Sequence, residues 1–296
     1  MACAGGRHRA ALGWSLGGEA HVFIADDDFA RSFYHQLTGK RDLMDALEGH
    51  QLIAVDGRNT RSATVLSSNG ATPARLSLAR FHAPQTCGYT GLVTELVLAF
   101  PPGGAAGRRA PPSHVTVVAL LDHAAFAGGG GATRPALPSR AAMALIRRVA
   151  DRAEHATRGA PLGLLHPPTV DADQAADAGE VVPLESAYGV GFRASYVGGG
   201  AGDTTLITGV AIADTGLHHV HWAVRPQRLR LAGGMIRRTN SGVRYSLRGA
   251  VAAPGGDRYL LVDEFADVSP GDSRATAVAA ETRHVVAAQP LALRCP

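Results

Sequence analysis

The sequence predicts an α+β protein: predominantly antiparallel β-sheet with a few helices, its C-terminal part all-β and built as a sandwich, curled sheet or partial barrel. Three observations carry this. Hydrophobic residues make up 46% of the 296 positions, enough to bury a sizeable core and far from the composition of a disordered chain. Charged residues are sparse at 18% and the chain holds 36 glycine residues, a combination that suits many turns better than a helical bundle. From residue 50 the apolar period shifts to that of short strands, bounded by Gly-, Pro- and Asp-rich connections.

Taken in order, residues 1–18 are rich in Gly, Ala and Arg and read as a flexible N-terminus. A strand follows at His21–Ala25. Asp26, Asp27 and Asp28 then offer N-caps for a helix whose apolar residues Phe29, Phe33, Tyr34 and Leu37 share a face, with Gly39 as its stop. A short helix fits Asp42–Glu48. Strands are expected at Gln51–Val55, Ser62–Leu66, Arg75–Phe81, Gly91–Phe100 and His114–Leu121. The dense run around Val93, Leu96 and Val97 marks a central strand. Pro101–Ser113 and Ala127–Ser139 read as loops. Ser139 caps a helix whose Leu145, Ile146, Val149 and Ala153 form one stripe, closed by Gly159. The acidic stretch Asp171, Asp173, Asp177 and Glu180 fits a short helix.

Eight strands are then expected: Tyr188–Val197, Thr204–Ala211, Leu217–Val224, Gln227–Ala232, Val243–Val251, Arg258–Phe265, Arg274–Ala280 and His284–Gln289. Val243, Tyr245, Leu247 and Val251 alternate with Arg244, Ser246 and Arg248, as in an antiparallel strand with one wet face. The chain divides near residue 160, into a mixed α/β part over 19–160 and a mainly β part over 161–296, compatible with one continuous domain.

The net charge is +4, and Lys40 is the only lysine. An Ala-, Gly-, Arg- and Pro-rich composition reflects GC-rich coding, so the basic balance argues only weakly for an anionic partner, and nucleic acid is not expected. The three cysteines, Cys3, Cys87 and Cys295, include no CxxC pair. Cys87 and Cys295 both flank apolar strands. They are either a disulfide, worth roughly 4–5 kcal/mol in the chain-entropy model, or two buried thiols. No stretch reaches the roughly 18 consecutive apolar residues of a transmembrane helix. The start Met1-Ala2-Cys3-Ala4-Gly5-Gly6 is similar to the end of a bacterial lipoprotein signal, without the basic and apolar segments that precede one.

Four features could carry chemistry. Gly13-Trp14-Ser15-Leu16-Gly17 has the G-x-S-x-G spacing of a nucleophile elbow and, with Gly18, resembles that of the α/β-hydrolases. An elbow needs a strand before it and a helix after it, and this one starts too early and is followed by a strand. His219 and His221, in His218-His219-Val220-His221, share a strand face and could hold a divalent metal with Asp263, Glu264 or His284 as third ligand. The pattern partly resembles cupins, but Val224, Arg225 and Pro226 stand where a cupin has its glutamate. Arg228 with Arg230, and Arg244 with Arg248, form pairs on strand faces that could bind an anion. Asp263 and Glu264 point to opposite faces, and the Asp267–Asp272 turn lacks the spacing of an EF-hand. Phosphate-loop motifs are absent from the sequence.

These readings favour a non-catalytic binding or structural protein of a bacterial cell envelope, or a secreted one, with no cofactor and no identified partner. A metal-dependent or serine hydrolase using His219/His221 or Ser15 is the alternative. Function has to be argued from a site.

Overall fold

The computed structural model describes residues 10–40, 42–57, 62–67, 70–101, 115–121, 135–157, 163–164, 169–170, 178–197, 204–232, 235–236, 243–252, 258–266, 273–291, 293 and 295. It is mostly antiparallel β, with three helices among the described residues.

The N-terminal part is a barrel. Its elements are β1 (Ala10–Leu16), β2 (Glu19–Ala25), α1 (Asp27–Thr38), α2 (Leu43–Leu47), β3 (Leu52–Asp56), β4 (Ser62–Ser67), β5 (Gly70–His82), β6 (Val93–Ala99) and β7 (Thr116–Leu121). The order β5-β4-β7-β1-β2-β6 closes because β5 also pairs with β6. Strand β5 can do this because it is long and bulged between Leu76 and Leu78: its first half pairs with β4 and its second half with β6. β3 extends the sheet beside the second half of β5.

Ala10–Leu16, expected to be loose, is instead a wall of this barrel. Its residues alternate between Ala11 in the barrel interior and Ala10 and Leu12 on the outside, so both faces have a core to enter. The interior is filled by Val22, Val65, Phe81, Leu96, Leu98 and Val117, and α1 closes it with Phe33 and Tyr34. Tyr34 meets Phe81 edge-on at 5.4 Å between ring centroids. Asp26 caps α1 by accepting from the Phe29 amide, and Gly39 ends it in the left-handed region, as the sequence indicates.

Gly13 faces its partner strand so closely that an added Cβ would strike the His21 carbonyl and the Val22 Cα. Gly13→Ala is therefore expected to cost about 3 kcal/mol, the upper end of overpacking, since backbone cannot rotate away. Gly17→Ala, at a φ of 59° with open space around it, is expected to cost nearer 1 kcal/mol. Urea unfolding of the two variants checks the order, and equal losses would contradict the packing argument.

The helix α3 (Ser139–Ala156) lays Leu145, Ile146, Val149, Ala150 and Ala153 on a second sheet. Its cap position is Pro138, with no side-chain cap bond; Ser139 is already helical, which corrects the expected Ser139 cap. The expected stop, Gly159, lies outside the described residues. The second sheet runs β14 (Met235–Ile236), β13 (Val220–Ala232), β12 (Thr204–Ala213), β11 (Tyr188–Val197), β10 (Ala178–Pro183), β9 (Thr169–Val170), with β8 (Gly163–Leu164) beside β11. Glu180, expected on a short helix, sits on strand β10; Asp171, Asp173 and Asp177 lie outside the described residues. The two strands expected over 217–232 are one, β13. Its register shifts opposite Gly209, so Arg225 and Pro226 sit at an irregularity where a proline breaks no regular ladder.

A third sheet, β15 (Val243–Ala252), β16 (Arg258–Ala266), β17 (Arg274–Ala279) and β18 (Val285–Pro290), is an antiparallel meander in that order. Tyr245, Leu247, Leu260, Val262 and Val278 pack on the second sheet through Leu184, Val210 and Ala223. Val251, Leu261, Ala277 and Ala287 pack on the barrel through Leu12, Leu66, Val118 and Leu120. The last strands of the chain thus lie between its first two bodies. Val251 does not share the face of Tyr245 and Leu247: a register shift between Leu247 and Gly249 inserts a residue and reverses the alternation.

The free edge of β15 is covered by side chains of the second sheet. The amides of Val243, Tyr245 and Leu247 donate to Gln227 Oε1 (3.0 Å), Thr208 Oγ1 (3.1 Å) and Glu180 Oε2 (3.3 Å). Burial pushes the Glu180 carboxyl up, opposed by the Arg193 charge and the Ser246 hydroxyl. Every second amide of an edge strand is an orphan donor, and these polar residues satisfy three of them.

Candidate functional site: a buried carboxylate beside a disulfide

The described titratable groups converge most closely on the outer face of the barrel, across β2, β6 and β5. Leu96 and Leu98 of β6 point into the barrel, so Glu95 points out. Arg80 stands directly opposite Glu95 in the β5–β6 register, and His82 lies one diagonal step away, opposite Val93. On the other side Phe23 opposes Glu95 and His21 opposes Val97. Diagonal neighbours on one sheet face are within reach of long side chains.

Glu95 is only 3% exposed and uses both oxygens. Oε1 takes His21 Nδ1 at 2.7 Å and Arg80 at 3.0 Å; Oε2 takes His82 Nε2 at 3.0 Å. Burial alone would push this carboxyl up. Hydrogen bonds from His21 and His82, with the Arg80 charge, overcome it and bring the pKa down to about 2. A carboxylate ionised at neutral pH accepts only, so the bonded nitrogens of both rings carry the protons.

With a proton on Nε2, a neutral ring presents a lone pair at Nδ1. Nδ1 is buried and has no hydrogen-bond partner among the described residues. The His82 ring lies beside the disulfide between Cys87 and Cys295: one of its ring nitrogens and the two sulfurs lie within 4.8 Å of one another. Cys87 is buried and Cys295 half-buried, packed with Phe23, Val93 and Leu293, and the Trp14 ring lies tilted against Phe23 with centroids 4.6 Å apart. The disulfide, one of two readings open in the sequence, ties the end of the chain to the loop after β5.

Of the other residues singled out in the sequence, Ser15 is buried on β1, and its hydroxyl lies 3.4 Å from both the carbonyl and the amide of Val115. Its motif forms a β-hairpin, with Gly17 and Gly18 at positive φ in the turn, and not a strand-to-helix elbow. His219 and His221 are exposed where β13 begins. Their expected partners are elsewhere: Asp263 pairs with Arg248 at 2.6 Å, Glu264 with Arg274 at 3.1 Å, and His284 is exposed. Among the described residues, His82, Cys87 and Cys295 form the one group whose ligand atoms converge.

Of the two expected arginine pairs, Arg228 and Arg230 lie on β13 of the second sheet and Arg244 and Arg248 on β15 of the third. Arg228 reaches Glu154 of α3 at 3.3 Å, while Arg244 and Arg248 belong to the third sheet, Arg244 standing 5.5 Å from the Phe265 ring centre. Arg230 pairs with Thr205 through the backbone, and its side chain lies outside the described residues. No described helix is long and apolar enough to cross a membrane.

Sequence reasoning missed His21, Arg80, His82 and Glu95. A signal was present: Glu95 is the one charged residue within the apolar run Leu92–Phe100, and His21, Arg80 and His82 each alternate with apolar residues on neighbouring strands. No protein-family model, no curated protein and no solved structure matches the chain.

Proposed function

We propose that the chain is a non-catalytic structural or binding protein of a bacterial cell envelope. The Cys87–Cys295 disulfide carries this reading, because such bonds persist in oxidising compartments and are rare in the cytosol. Two further features support it. Charged side chains of the sheets are spent on ties within the fold, between layers in Arg228–Glu154 and between neighbouring strands in Arg248–Asp263. The apolar space beneath α1 is walled by Phe29, Phe33, Leu76, Leu96 and Leu98 with little polar character, as suits a core more than a reaction centre.

The test is a thiol count on protein taken directly from cells, denatured without reductant, alkylated and weighed intact, with the cells fractionated in parallel. Protection of Cys87 and Cys295 in envelope material is the expected result. Full alkylation of all three cysteines, or recovery in the cytosolic fraction, would overturn the proposal.

A further inference from the structure

We infer that, once the disulfide is reduced, His82 Nδ1 and the sulfurs of Cys87 and Cys295 form a binding site for a zinc-class metal ion. This goes beyond the structural role proposed above and concerns a second state of the same atoms.

The donor set is the first support. Two thiolates and one imidazole are a soft, borderline set that suits zinc, with solvent completing the tetrahedron beside the half-buried Cys295. One ring nitrogen of His82 and the two sulfurs already lie within 4.8 Å of one another. Tetrahedral zinc bonded at about 2.3 Å to sulfur holds two sulfurs about 3.8 Å apart, so modest side-chain rotation suffices after the S–S bond opens.

His82 is the second support. Its ring is fully buried, and Nδ1 has no hydrogen-bond partner among the described residues. A buried polar atom left in this condition is costly, and a metal would satisfy it. Glu95 holds the opposite nitrogen, the carboxylate–histidine arrangement that orients metal-bound imidazoles and raises their basicity.

The chemistry balances with a dithiol reductant. One of its thiolates attacks Cys295 Sγ, the more accessible sulfur, and Cys87 leaves as a thiolate. The second thiol of the reductant displaces Cys295 and becomes half of the reductant's own disulfide. The two protons of the reductant's thiols go to solvent, and zinc then takes the two cysteine thiolates.

The experiment uses the full chain, reduced with a trialkylphosphine, which becomes the phosphine oxide and does not compete for zinc. Zinc is titrated against a chromogenic chelator, and cobalt is used as a spectroscopic probe. The reduced chain is expected to hold one zinc and to show thiolate-to-cobalt absorption with tetrahedral bands, whereas the oxidised chain does neither. Cys295→Ser and His82→Gln are each expected to weaken binding at least tenfold. Binding by the reduced chain no tighter than by the oxidised chain would overturn the inference, as would equal binding by the Cys87→Ser/Cys295→Ser variant. If the reduced chain unfolds, recovery of its circular dichroism on adding zinc supports the site, and no recovery overturns it. If His82→Gln does not fold, the cobalt spectrum of the reduced wild type decides: octahedral bands count against the site. The thiol count above is independent of all these outcomes.

Discussion

Replacing both Cys87 and Cys295 by serine is expected to lower stability by about 4–5 kcal/mol, measured by urea unfolding with a metal chelator present. The bond spans 208 residues. Closing so long a loop removes much of the freedom of the unfolded chain, and this entropy is the main source of the effect. The native state adds a smaller share. Cys295 and Leu293 cover Phe23 and Val93 on the barrel, and the bond holds them there. Two controls separate the contributions. Cys3→Ser is expected to be neutral. Leu293→Ala, which leaves the bond intact, is expected to cost less than the double serine variant. A loss below about 1 kcal/mol in the double variant would mean that the loop is already closed by packing in the unfolded ensemble.

The strands and helices were largely legible because their periods are local. Phe29, Phe33, Tyr34 and Leu37 mark α1 wherever that helix goes, and the stripe from Leu145 to Ala153 marks α3. What local pattern does not contain is partnership. Ala10–Leu16 was misread because Gly, Ala and Arg around it suggest a tail; its strand character comes from β2 and β7, which pair with it on both edges. The inserted residue after Leu247 was invisible for the same reason, since a bulge is a property of two strands. Val251 therefore fell on the wrong face.

The site divides in the same way. The cysteines were legible as a pair because few residue types can bond covalently across a fold and only three were present. The arginines stand close together in the sequence, but what each side chain meets is set by the fold: Arg228 pairs with Glu154 and Arg248 with Asp263. The Glu95 cluster was not legible as a cluster: its members come from His21, Arg80, His82 and Glu95, on three strands whose adjacency follows from barrel closure. A lone carboxylate in an apolar strand nonetheless implies a buried partner, because an unpaired charge there would be too costly to keep.

That cost gives the remaining large effect. Glu95→Ala is expected to destabilise by roughly 3–5 kcal/mol, since it leaves the Arg80 charge and the His21 and His82 donors without their acceptor. The pH dependence follows from the direction of the shift. The folded carboxyl titrates at about 2 against an ordinary 4.5: burial opposes ionisation, and the His21 and His82 hydrogen bonds with the Arg80 charge more than compensate. As pH falls below 4.5 the unfolded chain takes up the proton first. The stabilisation is therefore complete above that value and is lost on the way down to about 2, a change on the order of 3 kcal/mol for this one group. Other carboxylates titrate in the same window, so the informative quantity is the wild-type stability minus that of Glu95→Gln. That difference is expected to shrink steadily from pH 4.5 towards 2. The groups facing Glu95 are His21, Arg80 and His82, with Glu19 4.0 Å beyond His21. A difference that stays flat across the window would mean that the carboxylate is not the anchor of this face, and that His82 is held in place by packing alone.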